Sequence, residues 1–131
     1  MIRFLGASAA LAALALAPHS AAHHSFAVYF DPNDEVTLEG TVTSFRFTNP
    51  HGTIVFDVTG ANGQKQSWRA ETNAPVVLQR RGWDRRSLAP GQTITIRGWR
   101  ARDGRPYMRM AEVRDAAGQR VGDSAFGQGD N

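Results

Sequence analysis

The chain has 131 residues, with 15 Lys and Arg against 12 Asp and Glu, four His and no Cys. This length fits one domain, and the lack of cysteine excludes disulfides, thiolate metal sites and thiol chemistry. A transition-metal site must therefore use His, carboxylate, Met or backbone groups. The formal charge is only +3, and acidic residues are interspersed among the basic ones. This pattern indicates a soluble surface with mild attraction for anions, and it argues against nucleic acid as a partner.

The N-terminus has the layout of a secretory signal peptide. Arg3 precedes an unbroken run of apolar and small residues over 4–16. A run of this length is too short for a permanent membrane anchor. Ser20 and Ala22 fit the positions before a cleavage site, so we expect residues 1–22 to be removed. Cleavage one residue earlier is the alternative. The mature protein is then expected in the periplasm or outside the cell, without membrane association.

Residues 23–35 are expected to form an N-terminal arm ahead of the first strand. The arm is expected to dock on the domain through three aromatic residues, since chain ends stay loose unless something holds them: Phe26, Tyr29 and Phe30. Residues 36–43 alternate apolar and polar side chains, which is typical of a half-buried strand. Phe45 and Phe47 are large apolar residues at odd positions, whereas the apolar residues just before them are at even positions. This change predicts a bulge or a strand buried on both faces.

Turn-forming residues divide the rest of the chain into four further strands and one helix. The predicted strands cover residues 54–58, 66–71, 93–99 and 107–114. A helix is predicted to begin with Asn73 as its cap and Pro75 in its first turn, and to end at Gly82.

This order of elements predicts an all-β domain over residues 36–117. Three strands, a short helix and two strands are the arrangement of a small, partly open five-stranded barrel of the OB type. The helix lies between strands 3 and 4, where it can plug one end of the barrel. An immunoglobulin-like sandwich is the alternative, but it has about seven strands and no such helix. Residues 118–131 have little to bury and are predicted to form a flexible tail.

The histidines are concentrated at the expected mature N-terminus. After loss of the leader the chain retains only His23, His24 and His51. If cleavage exposes His23, its free amine and its ring can hold one metal ion together, and His24 or His51 can supply a third nitrogen. This arrangement, a histidine brace, suits copper, because imidazole and amine nitrogens favour Cu(II). If cleavage falls one residue earlier, His24 becomes the third residue, a spacing that also binds Cu(II). The alternative is a solvated chain end, with His51 bonded to its own turn.

Asp31 and a run of arginines are further candidates for a site. Asp31 is a candidate axial ligand or hydrogen-bond acceptor for a ligand imidazole, although a turn-capping role before Pro32 is the simpler expectation. Four arginines are candidates for binding a small anionic ligand or a periplasmic protein: Arg80, Arg81, Arg85 and Arg86. The alternative for this run is a solvated face that complements the C-terminal end of the helix. No catalytic triad, Gly-rich phosphate loop or carboxylate pair can be assigned.

Several short motifs resemble those of one family of small exported bacterial proteins. They are His23-His24-Ser25-Phe26-Ala27, Phe30-Asp31, Leu38-Glu39-Gly40-Thr41-Val42 and Thr48-Asn49-Pro50-His51, together with Trp68, Glu71, Gly82-Trp83 and Pro90-Gly91. Over nearly all of the mature sequence the chain resembles DUF6152, a family of unknown function. The resemblance implies a small periplasmic β-domain and brings no activity, so the copper hypothesis depends on the residues alone.

Three functions follow from these observations. The first is an exported protein that binds or handles copper through His23, His24 and His51. The second is a module without a metal, which binds an anionic ligand or a protein on its Arg-rich face. The third, an oxidative enzyme, is the weakest, because the short chain offers little surface for a large substrate.

Overall fold

The computed structural model describes residues 26–130 of the chain. Its elements are α1 (Phe26–Tyr29), β1 (Phe30–Arg46), β2 (Thr53–Thr59), β3 (Lys65–Glu71), α2 (Pro75–Gln79), β4 (Thr93–Ala101) and β5 (Tyr107–Asp115). The five strands form a closed barrel in the order β1-β2-β3-β5-β4. Only the pairing of β3 with β5 is parallel. No helix in the described part of the chain is long and apolar enough to cross a membrane.

The predicted all-β class is confirmed, including the five strands and the short helix between β3 and β4. The barrel is closed, however, where a partly open one was expected. Closure is achieved because β1 is 17 residues long and pairs with β4 along its first part and with β2 along its last part. The register shifts between Val42 and Ser44, so the predicted bulge is confirmed there. A bulge bends and twists its strand, which allows one strand to serve two neighbours.

The barrel interior is filled by apolar side chains from all five strands. Five of the largest fully buried ones are Ile54, Phe56, Ile96, Met108 and Met110. Leu78 of α2 is also fully buried and packs in the same cluster, as expected for a helix that plugs one end. The helix ends at Gln79, three residues before the predicted Gly82. Gly82 instead closes the turn that follows, with a positive φ of 78°, and the Trp83 N–H donates to the Leu78 carbonyl.

The predicted cap of α2 is wrong. Ala74 occupies the N-cap position and makes no side-chain hydrogen bond there. Asn73 is instead fully buried, and its Nδ2 donates to the carbonyl oxygen of Asp130 at 2.7 Å. The acceptor for this buried N–H lies 57 residues away in sequence, whereas the buried Oδ1 of Asn73 has no hydrogen-bond partner among the described residues.

The N-terminal arm extends the barrel rather than preceding it. Residues 30–35, expected in the arm, belong to β1, and Phe30 pairs with Ala101 of β4. The expected aromatic docking is confirmed for two residues: the Phe26 ring lies 5.2 Å from that of Trp99, and the Phe30 ring lies 5.4 Å from that of Tyr107. These rings form a small apolar cluster separate from the main core. Burying them offsets the entropy of ordering the arm.

The predicted flexible tail is corrected by the contacts of residues 118–130, which we call the C-terminal segment. Its backbone is bonded to β5, with the Val121 N–H donating to the Val113 carbonyl and the Phe126 N–H to the Ala111 carbonyl. The Phe126 side chain is only 4% exposed and lies in the main core cluster. The flexible tail was predicted because the segment has few apolar residues, but one of them, Phe126, packs in the core.

We predict that Phe126→Ala lowers the free energy of unfolding by about 3 kcal/mol, because it removes a buried ring and leaves a cavity. Urea denaturation of the two proteins measures this. The control is Val76→Ala, where the side chain is 52% exposed, and a change within about 0.5 kcal/mol is expected. Equal stability of Phe126→Ala and the wild type would contradict the packing of the C-terminal segment.

Candidate functional site

A cleft of about 570 Å³ opens between α1, the β1–β2 loop and the start of β5. One wall is aromatic, with Phe26, Tyr29 and Phe30 from the N-terminal part of the chain. The polar lining, which we call the polar side of the cleft, includes His51 from the β1–β2 loop and Glu71 from the end of β3. In OB-type barrels the β1–β2 and β4–β5 loops border the usual ligand site, and here these loops both line the cleft.

Backbone hydrogen bonds hold the β1–β2 loop against the residues that follow β3. The peptide between Asn49 and Pro50 is cis. Gly52 donates its N–H to the Asn73 carbonyl at 3.2 Å and accepts from the Thr72 N–H at 2.9 Å. A Cβ at position 52 would lie 2.5 Å from the Thr72 hydroxyl oxygen, so this close approach requires glycine. These bonds bring His51 next to the end of β3.

His51 meets a carboxylate at that point. Its Nδ1 lies 3.1 Å from Oε1 of Glu71, and the two side chains are 32% and 23% exposed. This separation makes an ion pair when the imidazole is protonated, and it is short enough for a hydrogen bond once an N–H on Nδ1 is directed at the carboxylate. The proton would then be on Nδ1, and Nε2 would keep its lone pair.

Two donors from β5 hold the same carboxylate. The Tyr107 hydroxyl donates to Oε2 of Glu71 at 2.6 Å, and the Arg109 guanidinium donates to Oε1 at 2.9 Å. Arg109 also donates to the Thr72 carbonyl at 2.9 Å and to the Asp130 carbonyl at 3.3 Å. The parallel register that pairs Glu71 with Arg109 places these groups side by side.

Burial changes the acid–base properties of both β5 residues. Desolvation lowers the pKa of the Arg109 guanidinium, whereas the charge of Glu71 opposes this change. Desolvation raises the pKa of the Tyr107 hydroxyl above its usual range, and the hydrogen bond to Glu71 adds to the effect. Tyr107 therefore stays protonated and remains a donor to the carboxylate at physiological pH.

Of the predicted metal ligands, the cleft contains His51. His23 and His24 lie outside the described residues. Phe26, where the described chain begins, lines the same cleft as His51. Within residues 26–130 no group of three or more His, Asp and Glu side chains is arranged to hold a metal ion.

Asp31 lies apart from the polar side of this cleft. It lines a second cavity of about 370 Å³, together with Asp34, Arg100 and Arg102. Its Oδ1 accepts the Asn33 N–H at 3.0 Å, so the predicted turn-capping role is confirmed. Its Oδ2 lies 3.7 Å from the Arg102 guanidinium. These contacts do not bring Asp31 to the His51 imidazole.

The arginine run is divided between structure and solvent. Arg81 donates to the Ala125 carbonyl and to the Asp130 carboxylate, and its guanidinium lies 4.4 Å from the centre of the Phe126 ring. It fixes the C-terminal segment. The other three arginines of the run are exposed, and Arg86 pairs loosely with Asp84 at 3.8 Å. The proposed four-arginine anion site is thus reduced to three solvated side chains.

Tyr107 and Arg109 were not among the site residues predicted from the sequence. The available signal was a tyrosine and an arginine two residues apart in a strand otherwise rich in Met, Ala and Val. Alternate residues of a strand share one face, so the pair marks the face of β5 opposite Met108 and Met110, but this alternation alone is equally typical of a solvent-exposed face. The partner of this pair, Glu71, could not be assigned without the strand order.

Comparison with known proteins gives one match. A family model described as a family of unknown function, DUF6152, matches residues 10–108. No curated protein and no solved structure matches the chain. The matched range includes His51 and Glu71, and it ends one residue before Arg109. The family expected from the sequence motifs is therefore confirmed.

We predict that Arg109→Met lowers the free energy of unfolding by about 3 kcal/mol, because it leaves Glu71 without its buried cation. The control is Arg105→Met. Arg105 also pairs with a carboxylate, Asp103, but the two side chains are 69% and 50% exposed, so a loss below about 1 kcal/mol is expected. Urea denaturation compares the two. Equal losses would show that the Arg109 pair is no stronger than a surface pair.

Proposed function

The chain belongs to the DUF6152 family, and from the residues of its cleft we propose that the exported protein binds one copper ion. The ligands are the N-terminal histidines, His23 and His24, and the loop histidine His51. The family supplies no activity, so the proposal depends on the donor atoms and on where they can meet.

The observation that carries the proposal is that His51 and Phe26 line one cleft. Consecutive Cα atoms are about 3.8 Å apart, so the three residues from Phe26 back to His23 reach at most about 11 Å. The amine and ring of a first residue at position 23 are therefore within range of the cleft that holds His51. A loop histidine on the far side of the barrel would have ruled out this three-nitrogen set.

The donor set favours copper over other cations. Imidazole and amine nitrogens suit Cu(II), which heads the affinity order of the divalent first-row metals. Ca²⁺ and Mg²⁺ prefer oxygen ligands, and Glu71 is the carboxylate that lines the cleft. Both of its oxygens already accept hydrogen bonds from β5. The cleft thus offers nitrogen, rather than carboxylate oxygen, to an incoming ion.

Export is part of the same proposal. Residues 1–22 are the proposed leader, and the mature protein acts in the periplasm or outside the cell. Cleavage before His23 yields the amine and ring of one residue as a chelating pair. Cleavage before Ala22 still yields a copper-binding N-terminus, with His24 in third position.

We predict that the full chain, expressed with its leader in a bacterial host, is recovered from the periplasm with the mass of residues 23–131. Intact-protein mass spectrometry of the exported fraction checks this. Recovery of residues 1–131 at full mass from the cytoplasm would contradict the leader. A mass that includes Ala22 would assign the N-terminal chelate to His24.

We predict that the mature protein binds one Cu(II) per chain, and that three alanines added before His23 weaken binding by about tenfold or more, or about 1.4 kcal/mol. Three residues are needed because one or two would make His24 or His23 the third residue, which also binds Cu(II). The extension removes the free amine from the first histidine. Isothermal titration calorimetry compares the mature form, the extended form and His51→Ala, which should also lose affinity. Arg80→Ala, a change at an exposed arginine of the run, is the control. Equal affinities of the mature and extended forms would reject the chelating amine.

A further inference from the structure

We propose that Glu71 is a positioning residue, which holds His51 with its Nδ1 proton toward the carboxylate and its Nε2 lone pair available to a metal. This inference rests on the proposed function and adds to it the group that orients the loop ligand. In metal sites, a ligand histidine usually donates its other ring N–H to such an acceptor, which fixes both the tautomer and the orientation of the ring.

The geometry of the carboxylate supports this role. Oε1 of Glu71 is shared between the Arg109 guanidinium at 2.9 Å and the His51 Nδ1 at 3.1 Å, while Oε2 accepts the Tyr107 hydroxyl at 2.6 Å. Two donors from one strand hold the carboxylate in a single orientation. The imidazole therefore meets an acceptor whose position is already fixed.

One of the two supporting donors, Arg109, is itself fixed by further bonds. The Arg109 side chain is only 7% exposed, and it is anchored by two backbone carbonyls in addition to Glu71. One of these carbonyls, that of Asp130, also accepts the Asn73 amide. Since Arg109 is held by several bonds, it fixes the Glu71 carboxylate, which in turn faces His51.

Glu71 acts through His51 rather than as a ligand itself. Both of its oxygens are occupied by donors from β5, and Arg109 balances its charge. Releasing it toward a metal would leave the guanidinium without its partner, which is costly for a buried cation. An imidazole with its ring preset loses less freedom on binding the ion, which raises affinity.

The test combines two measurements on folded protein, as judged by circular dichroism. Proton–nitrogen NMR of the metal-free chain, at a pH well above the usual imidazole pKa of about 6.5, reports which ring nitrogen of His51 carries the proton. We expect the Nδ1–H form in the wild type and in Glu71→Gln, which keeps an acceptor oxygen. We expect the Nε2–H form, which predominates in a solvated imidazole, to gain in Glu71→Ala.

Calorimetry with Cu(II) alone gives the second measurement. Glu71→Ala should bind about 10- to 100-fold more weakly than the wild type, with Glu71→Gln nearer to the wild type. The matched control is Glu112→Ala, which removes another carboxylate held by two arginines, Arg114 and Arg120, and should leave affinity unchanged. If Glu71→Ala fails to fold, the double variant Glu71→Leu with Arg109→Met takes its place, since it removes the acceptor without leaving a lone buried charge.

The outcomes separate the two proposals. A wild type that binds no copper overturns the proposed function, and the metal-free NMR measurement still reports whether Glu71 sets the His51 tautomer. A wild type that binds copper no more tightly than Glu71→Ala, with the same tautomer in both, overturns the positioning role alone.

Discussion

The buried guanidinium of Arg109 brings together parts of the chain that are far apart in sequence. Its acceptors are the Glu71 carboxylate, the Thr72 carbonyl and the Asp130 carbonyl. A buried cation is tolerated only where its N–H groups are paired. The end of β3, the start of β5 and the C-terminal segment must therefore meet at one place. That place is the polar side of the cleft, and His51 contacts it through the same carboxylate.

Both ends of the described chain contribute to this cleft. Phe26 packs against Trp99 and lines it from the N-terminal side, while Gln128 lines it from the other and donates to the Pro32 carbonyl at 3.1 Å. Each end is fixed by an aromatic residue: Phe26 packs in the small apolar cluster, and Phe126 enters the main core. The proposed cleavage before His23 would put the new chain end three residues from Phe26, which lines the same cleft as His51. For a site that depends on a new N-terminus, this proximity is the essential geometric condition.

Local patterns in the sequence predicted the elements well. Alternating apolar and polar residues predicted the strands, the change of parity near Phe45 predicted the bulge, and Pro75 predicted the start of α2. The errors have one common cause. The Asn73 amide donates to the Asp130 carbonyl, and the Phe126 ring packs in the core. Neither contact can be predicted from the neighbouring residues in the sequence. The partners of Glu71 could not be predicted for the same reason, because the parallel register of β3 and β5 brings them to it.

The sequence by itself determined the order of the elements, the all-β class and the kind of metal chemistry open to the chain. These depend on residue type and local spacing: a chain without cysteine has no thiolate to offer, so a transition-metal site would have to use His, carboxylate, Met or backbone groups. The tertiary structure decided that the barrel closes, that the C-terminal segment packs, and that Nδ1 of His51 faces Glu71. Those features come from contacts between distant segments, and such contacts are fixed only when burial and charge pairing are satisfied over the whole fold at once.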